Sequence, residues 1–203
     1  ATGISTDSFK GKTVKLTADL DLGGVKAANG TWSGPCWKPI GKNYGNAFSG
    51  TFLGGGHKIS NLYFEKSLSK LTQNIGLFAN IGTGGYVEGI NLVSGYLHNE
   101  NANTYLAGIA GINAGTIVSC HNGADVYGES YIAGIAANAS GVIVKCSNSG
   151  TIGFAGKAAQ GEYLLLLNND VEVRSSDWLT ELLRQCAHPG GAAVCGAMLF
   201  YPD

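Results

Sequence analysis

YLAGIAGINAGTIVSCHN at residues 105–122 and YIAGIAANASGVIVKCSN at residues 131–148 agree at ten of eighteen positions, offset by 26. Internal repetition is a better guide to architecture than local propensity, because each copy has the same face to bury. The apolar residues come in short β-branched runs, cut every few positions by Gly, Asn or Ser. A helical repeat would space them at i, i+3, i+4 and i+7 over a longer stretch, so the pattern is that of strands and turns. A looser signature, an aliphatic residue with an apolar one three positions on, recurs as Ile59/Leu62, Val87/Ile90, Ile117/Cys120 and Ile143/Cys146.

A strand too short to bury itself is stabilised by lying on its own copy, about 4.8 Å away. The expected fold is therefore mainly β: a right-handed parallel β-solenoid over residues 1–156, with a short C-terminal α/β (βαβ) segment over residues 157–203. Ile109 is expected to stack on Ile135, Ile117 on Ile143 and Cys120 on Cys146 inside, with Asn122 and Asn148 at a corner where their amides bond stacked backbone. Gly108, Gly134, Gly115 and Gly141 read as tight bends that a Cβ would obstruct. Cys120 and Cys146 are expected to stay thiols, since in-register parallel strands set their Cβ bonds side by side. Tyr105 and Tyr131 would sit one above the other, as a candidate carbohydrate-stacking pair or as padding for the core.

Composition supports this reading. Gly supplies 32 of 203 residues and charged residues 13%, as suits a turn-rich β protein. A net charge of -1 gathers neither nucleic acid nor an anionic membrane, and no stretch reaches the roughly 20 apolar residues of a membrane-spanning helix. With no initiating Met and no basic leader followed by an apolar run, the chain is expected to begin inside a larger precursor or to be an engineered piece. Five cysteines without CxxC spacing argue against a zinc site. His57, in GGGHKI, has only Glu65 as a carboxylate near it in sequence and reads as a turn residue. Scattered acidic residues nominate no glycosidase pair.

FKGKTVKLTADLDLGG (residues 9–24), WKPIG (37–41) and FSGTFLGGGHKISNLYF (48–64), with NIGLFANIG and the AGIAG elements, resemble the GLUG-type repeat regions of bacterial surface and secreted proteins. The resemblance covers residues 8–154. It implies a β-solenoid at the cell surface or outside the cell, serving as stalk, adhesin or targeting region, and no catalytic residues.

Near residue 156 the composition changes. Ten lysines and no arginine precede it, whereas the last 47 residues hold both arginines and eight leucines. GEYLLLLNND (161–170) reads as a strand buried on both faces, Trp178, Leu179, Leu182, Leu183 and Cys186 follow helical spacing, and AAVCGAMLFY (192–201) supplies a second strand. Residues 157–203 resemble the middle of family-2 glycosyltransferases, whose GT-A fold ends a buried strand in an Asp-x-Asp-like motif. Asn168-Asn169-Asp170 occupies that place, so the resemblance implies Asp170 on Mg²⁺ or Mn²⁺ and Asn168 on a nucleotide sugar, in a cytoplasmic enzyme. The partner strands that would complete such a site are absent upstream, where the solenoid stands instead. Two readings of the tail remain beside it: the four leucines cover an open solenoid end with Asp170 binding nothing, or two unrelated reading frames have been joined. The expected function is a non-catalytic surface or secreted scaffold or adhesin-like binding module, requiring no cofactor and engaging a glycan or a surface protein, with a truncated or fused glycosyltransferase-like tail. The alternative is a fragment of a metal-dependent glycosyltransferase.

Overall fold

The computed structural model describes residues 8–41, 44–66 and 74–154. The βαβ expectation, with Asn168 and Asp170, lies outside the described residues. Within them the chain makes five passes through the same parallel sheets. The first pass supplies β1 (Thr13–Lys15) and β2 (Leu20–Asp21), then an antiparallel pair, β3 (Val25–Lys26) and β4 (Trp32–Ser33). A 3₁₀ turn (Tyr44–Asn46) leads into the second: β5 (Thr51–Leu53), β6 (Lys58–Ser60) and β7 (Leu62–Lys66). The third holds β8 (Phe78–Ile81), β9 (Tyr86–Glu88), β10 (Asn91–Leu92) and β11 (Gly95–Asn99). The fourth holds β12 (Leu106–Ala107), β13 (Ala110–Asn113), β14 (Thr116–Val118), β15 (His121–Asn122) and β16 (Asp125–Gly128). The fifth repeats that order as β17 (Ile132–Ala133), β18 (Ala136–Ala139), β19 (Val142–Val144), β20 (Ser147–Asn148) and β21 (Ile152–Phe154).

Sheet one stacks β1, β5, β9, β14 and β19, sheet two stacks β2, β6, β10, β15 and β20, and sheet three stacks β7, β11, β16 and β21. Two shorter sheets join β8 to β13 and β18, and β12 to β17. All five are parallel, and the alternation of strand side chains decides their register. In sheet one the middle residue of each strand points inward, placing Val14 on Phe52, Phe52 on Val87, Val87 on Ile117 and Ile117 on Ile143. Phe52, Val87 and Ile117 share one apolar cluster with Phe48, Leu62, Phe78, Leu92, Leu97, Ile109 and Val126, and Val14 packs against it. The pairings of Ile117 with Ile143 and of Asn122 with Asn148 preserve the 26-residue offset of the sequence repeat.

The spacing signature breaks at its first member. Ile59 pairs with Leu92 in sheet two, and Phe52 takes the place beneath Val87. Turn lengths differ between passes, so stacking selects the residue facing inward rather than the one at a constant interval. The corner between sheets one and two is also built differently from expectation. It consists of a single left-handed residue, Gly89, Ser119 or Lys145 in successive passes (φ 67°, 51° and 54°). The next residue, Ile90, Cys120 or Cys146, then turns toward the core. Ser119 and Lys145 tolerate a conformation that costs roughly 1–2 kcal/mol for a residue with a Cβ, because pairing on both sides fixes it.

The four glycines expected at bends stand there, and close approach is what excludes a Cβ. A Cβ on Gly108 would lie 2.1 Å from Asn122 Oδ1, and one on Gly134 would lie 2.4 Å from Asn148 Oδ1. Each glycine clears space for the asparagine amide of its own pass, which explains why the two residue types recur together. Gly115 and Gly141 lie against the preceding pass, with a Cβ on Gly141 only 2.1 Å from Gly115 O. Asn122 is buried, and its amide bonds the backbone of its own pass and the stacked amide of the next: Nδ2 donates to Ala124 O (2.9 Å) and to Asn148 Oδ1 (2.7 Å), and Oδ1 accepts from Ala124 N (3.2 Å).

Candidate functional site

Sheet three carries the densest grouping of functional side chains among the described residues. Alternation along its strands turns Leu62, Phe64, Leu97 and Val126 inward, leaving Tyr63 and Glu65 on β7, Tyr96 and His98 on β11, and Asp125 and Tyr127 on β16 facing outward. Tyr63 and Tyr96 are in register, their ring centroids 6.5 Å apart and planes 19° from parallel. Trp32, carried by the antiparallel β3–β4 pair, brings a third plane to 6.4 Å and 13° from Tyr96. Trp32 is itself buried, with the Lys26 ammonium 5.9 Å from its ring centroid. Tyr127 packs at 5.6 Å from Tyr96, and its ring lies against Gly153 of β21, where a Cβ would come within 3.0 Å of two ring carbons.

Carboxylates edge these rings. Tyr63 Oη donates to Glu65 Oε2 at 2.6 Å, and this bond, with burial behind it, pushes the phenol up to about 12. Tyr96 is raised as well, chiefly by burial. The His98 ring sits between Glu65 and Glu100, Nδ1 3.5 Å from one carboxylate and Nε2 3.7 Å from the other. Those are ion-pair distances rather than hydrogen bonds. A phenol whose folded pKa exceeds its unfolded value stabilises the fold fully below the unfolded value near 10, and loses that contribution as pH rises through about 12. Ultraviolet titration should therefore show one tyrosine half-ionised near pH 12, falling back toward 10 in Glu65→Gln; an unchanged titration would remove the bond from the account.

Sequence reasoning missed this face because its residues do not recur at the repeat interval. The signal available was the alternation in LYFEK, GYLHN and DVYG. The pair it did nominate, Tyr105 and Tyr131, comes together at a centroid distance of 4.8 Å and 45° tilt. Tyr131 is 58% exposed and Tyr105 half-buried. Asn168 and Asp170, the nucleotide-sugar and metal candidates, lie outside the described residues, and no group of three or more His, Cys, Asp or Glu placed to hold a metal occurs within them.

Three further clusters have defined chemistry. His57 stands in a turn, its backbone N–H on Gly54 O (3.0 Å), but its ring meets Asp19 Oδ1 of the preceding pass at 3.3 Å, a partner invisible in linear sequence. The Lys58 N–H, also on Asp19, holds that carboxyl below the usual range. His121 has Ser147 Oγ at Nδ1 (2.9 Å) and Ser149 Oγ at Nε2 (3.0 Å). Such a group could in principle activate a hydroxyl. The N–H groups that would stabilise an oxyanion are already engaged, however: Ser149 and Gly150 donate to Asn122 O and Thr151 to Asp125 Oδ1. The cluster reads as a polar tie between passes. Cys120 and Cys146 are both free thiols, as expected, and the Cys120 N–H donates to Cys146 Sγ at 3.4 Å. The Cys146 sulfur beside it and burial push Cys120 up, whereas the neighbouring Cys120 thiol and N–H hold Cys146 below the usual thiol range. Iodoacetamide should accordingly label Cys146 before Cys120, and equal labelling would contradict that order.

No described helix is long and apolar enough to cross a membrane. No family model and no solved structure matches the chain. It is 34% identical over 104 residues to a protein of Evansella cellulosilytica named "Putative Gly-rich membrane protein", covering 51% of this chain and 10% of that one. It is 48% identical over 50 residues to the O-antigen biosynthesis protein RfbC of Myxococcus xanthus, covering 25% and 4% respectively. A third match, 47% over 45 residues, is to the uncharacterized protein y4gI of Sinorhizobium fredii, 22% of this chain and 5% of that protein. The chain thus spans a tenth or less of the length of each of these relatives.

Proposed function

We propose that residues 8–154 close into a right-handed parallel β-solenoid of the GLUG-repeat kind, which acts at the cell surface or outside the cell as a non-catalytic scaffold and adhesin-like binding module. The observation that carries this reading is the in-register stacking of five passes, in which the polar side chains of successive passes bond one another. His121 with Ser147 and Ser149, Asp21 with Asn61, and Asn61 with Ser94 are spent on cohesion between passes. Such a stack offers a long side wall built from equivalent positions, suited to contact and spacing rather than to enclosing a reacting group. The membrane-protein name of the Evansella cellulosilytica relative is in keeping with an envelope location.

The test is accessibility. Antibody against residues 8–154 should label intact source cells, and external protease should remove the label. Labelling only after lysis would sink the surface assignment.

A second reading draws on the O-antigen biosynthesis relative, whose 50-residue match is close in length to the glycosyltransferase-like tail. On that reading residues 157–203 belong to a metal-dependent sugar transferase, with Asp170 on Mg²⁺ or Mn²⁺ and Asn168 at the nucleotide. Calorimetry with Mn²⁺ and a panel of nucleotide sugars decides it: saturable binding abolished by Asp170→Ala supports a transferase fragment, and no binding leaves the tail without that role.

A further inference from the structure

The outward face of sheet three, on the reading of residues 8–154 as a binding module, has a definable ligand. We propose that this face, centred on Tyr96, binds an uncharged hexose-type glycan, its sugar rings lying against the tyrosines and its hydroxyls donating to the flanking carboxylates. Three observations carry this. Tyr63 and Tyr96 hold nearly parallel planes, 19° apart, on neighbouring strands, and Trp32 packs on the Tyr96 ring at 13°. Rings held by packing against one another lose little freedom on binding, and the partly exposed surface they leave can take the C–H face of a sugar. Tyr127 extends the row because Gly153 leaves the ring room to lie against β21.

The polar rim selects the chemistry. Glu65 and Glu100 are 41% and 57% exposed beside His98, and Asp125 accepts the Thr151 N–H at 2.9 Å from the next pass. These oxygens are acceptors that match sugar hydroxyls, whereas a uronate, sulfate or phosphate would set like charges against them at a cost. Strand spacing near 4.8 Å also brings successive acceptors and rings past the ligand at about the interval of one pyranose unit.

The experiment immobilises the full chain and measures binding of neutral glucans, galactans and mannans, of polyuronates, and of basic peptides. Saturable binding of a neutral polysaccharide is expected, with polyuronates silent. Tyr96→Leu should weaken it at least about tenfold and Tyr96→Phe by less than about threefold, both with unchanged melting, since the phenylalanine keeps the stacking face. If Tyr96→Leu fails to fold, Tyr127→Ser takes its place with the same expectation. Tyr131→Ala, in the separate pair with Tyr105, should change nothing. The proposal is overturned if no neutral glycan binds, if a polyuronate or a basic peptide binds better, if the folded Tyr96 or Tyr127 variant binds normally, or if Tyr131→Ala abolishes binding. Cell labelling that fails while glycan binding persists would strike the surface location and leave this site standing.

Discussion

Asn122→Ala should destabilise the protein by about 3 kcal/mol, the largest loss expected from removing a polar side chain here. Asn122 is fully buried and makes three bonds, two of them to Ala124 and one to Asn148 of the next pass. Truncation strands the Ala124 N–H and C=O inside, and each buried unpaired group costs on the order of 1–3 kcal/mol. Aspartate is no remedy, because it cannot donate to Ala124 O or Asn148 Oδ1 and brings a charge into the core. The comparison is Asn148→Ala. Its own Nδ2 bond, to Gly150 O at 2.8 Å, is exposed and water replaces it, so what the variant loses is the one acceptor it offers Asn122 Nδ2, both Ala124 bonds remaining, and the cost should be smaller, about 1 kcal/mol. Urea or thermal denaturation of the two variants decides the matter. Equal losses would show that the amide ladder acts no differently inside than at the surface.

Gly54→Ala is the second large effect, expected to cost about 3 kcal/mol or more. A Cβ there would sit 1.9 Å from Gly89 O and 2.5 Å from Gly89 C, in the backbone of the next pass. No rotamer change relieves a clash with a main-chain carbonyl, so two stacked strands must part and lose their pairing. Gly56→Ala separates this steric cause from a conformational one. Gly56 has φ +81° but nothing within 4 Å of a Cβ, and its substitution should cost only about 1–2 kcal/mol. If the two variants melt alike, close approach between passes is not what keeps glycine at 54.

Legibility in the sequence followed from whether a feature depends on near or distant neighbours. The pairing of Ile117 with Ile143 and the two free thiols were readable because identical passes stack like on like. The partnership of Ile59 with Leu92 was not, since turns of unequal length separate the earlier passes and only packing chooses the inward residue. Likewise Asp19 meets His57 and Trp32 meets Tyr96 across long intervals of chain, by stacking and by the placement of the β3–β4 pair. The aromatic face of sheet three therefore could not be assembled from spacing, although each tyrosine was in view.

By itself the sequence determined a mainly β chain of short parallel strands, because a 26-residue repeat of brief β-branched runs has no other partner for its backbone than its own next copy. The tertiary structure alone decided which residues share a face. It set Gly108 against the Asn122 amide, turned corners through Ser119 and Lys145, and gathered Tyr63, Tyr96 and Tyr127 on one wall. The physical reason is that register in a stacked sheet is settled by the packing of inward side chains, and the outward face is arranged as a consequence of that packing.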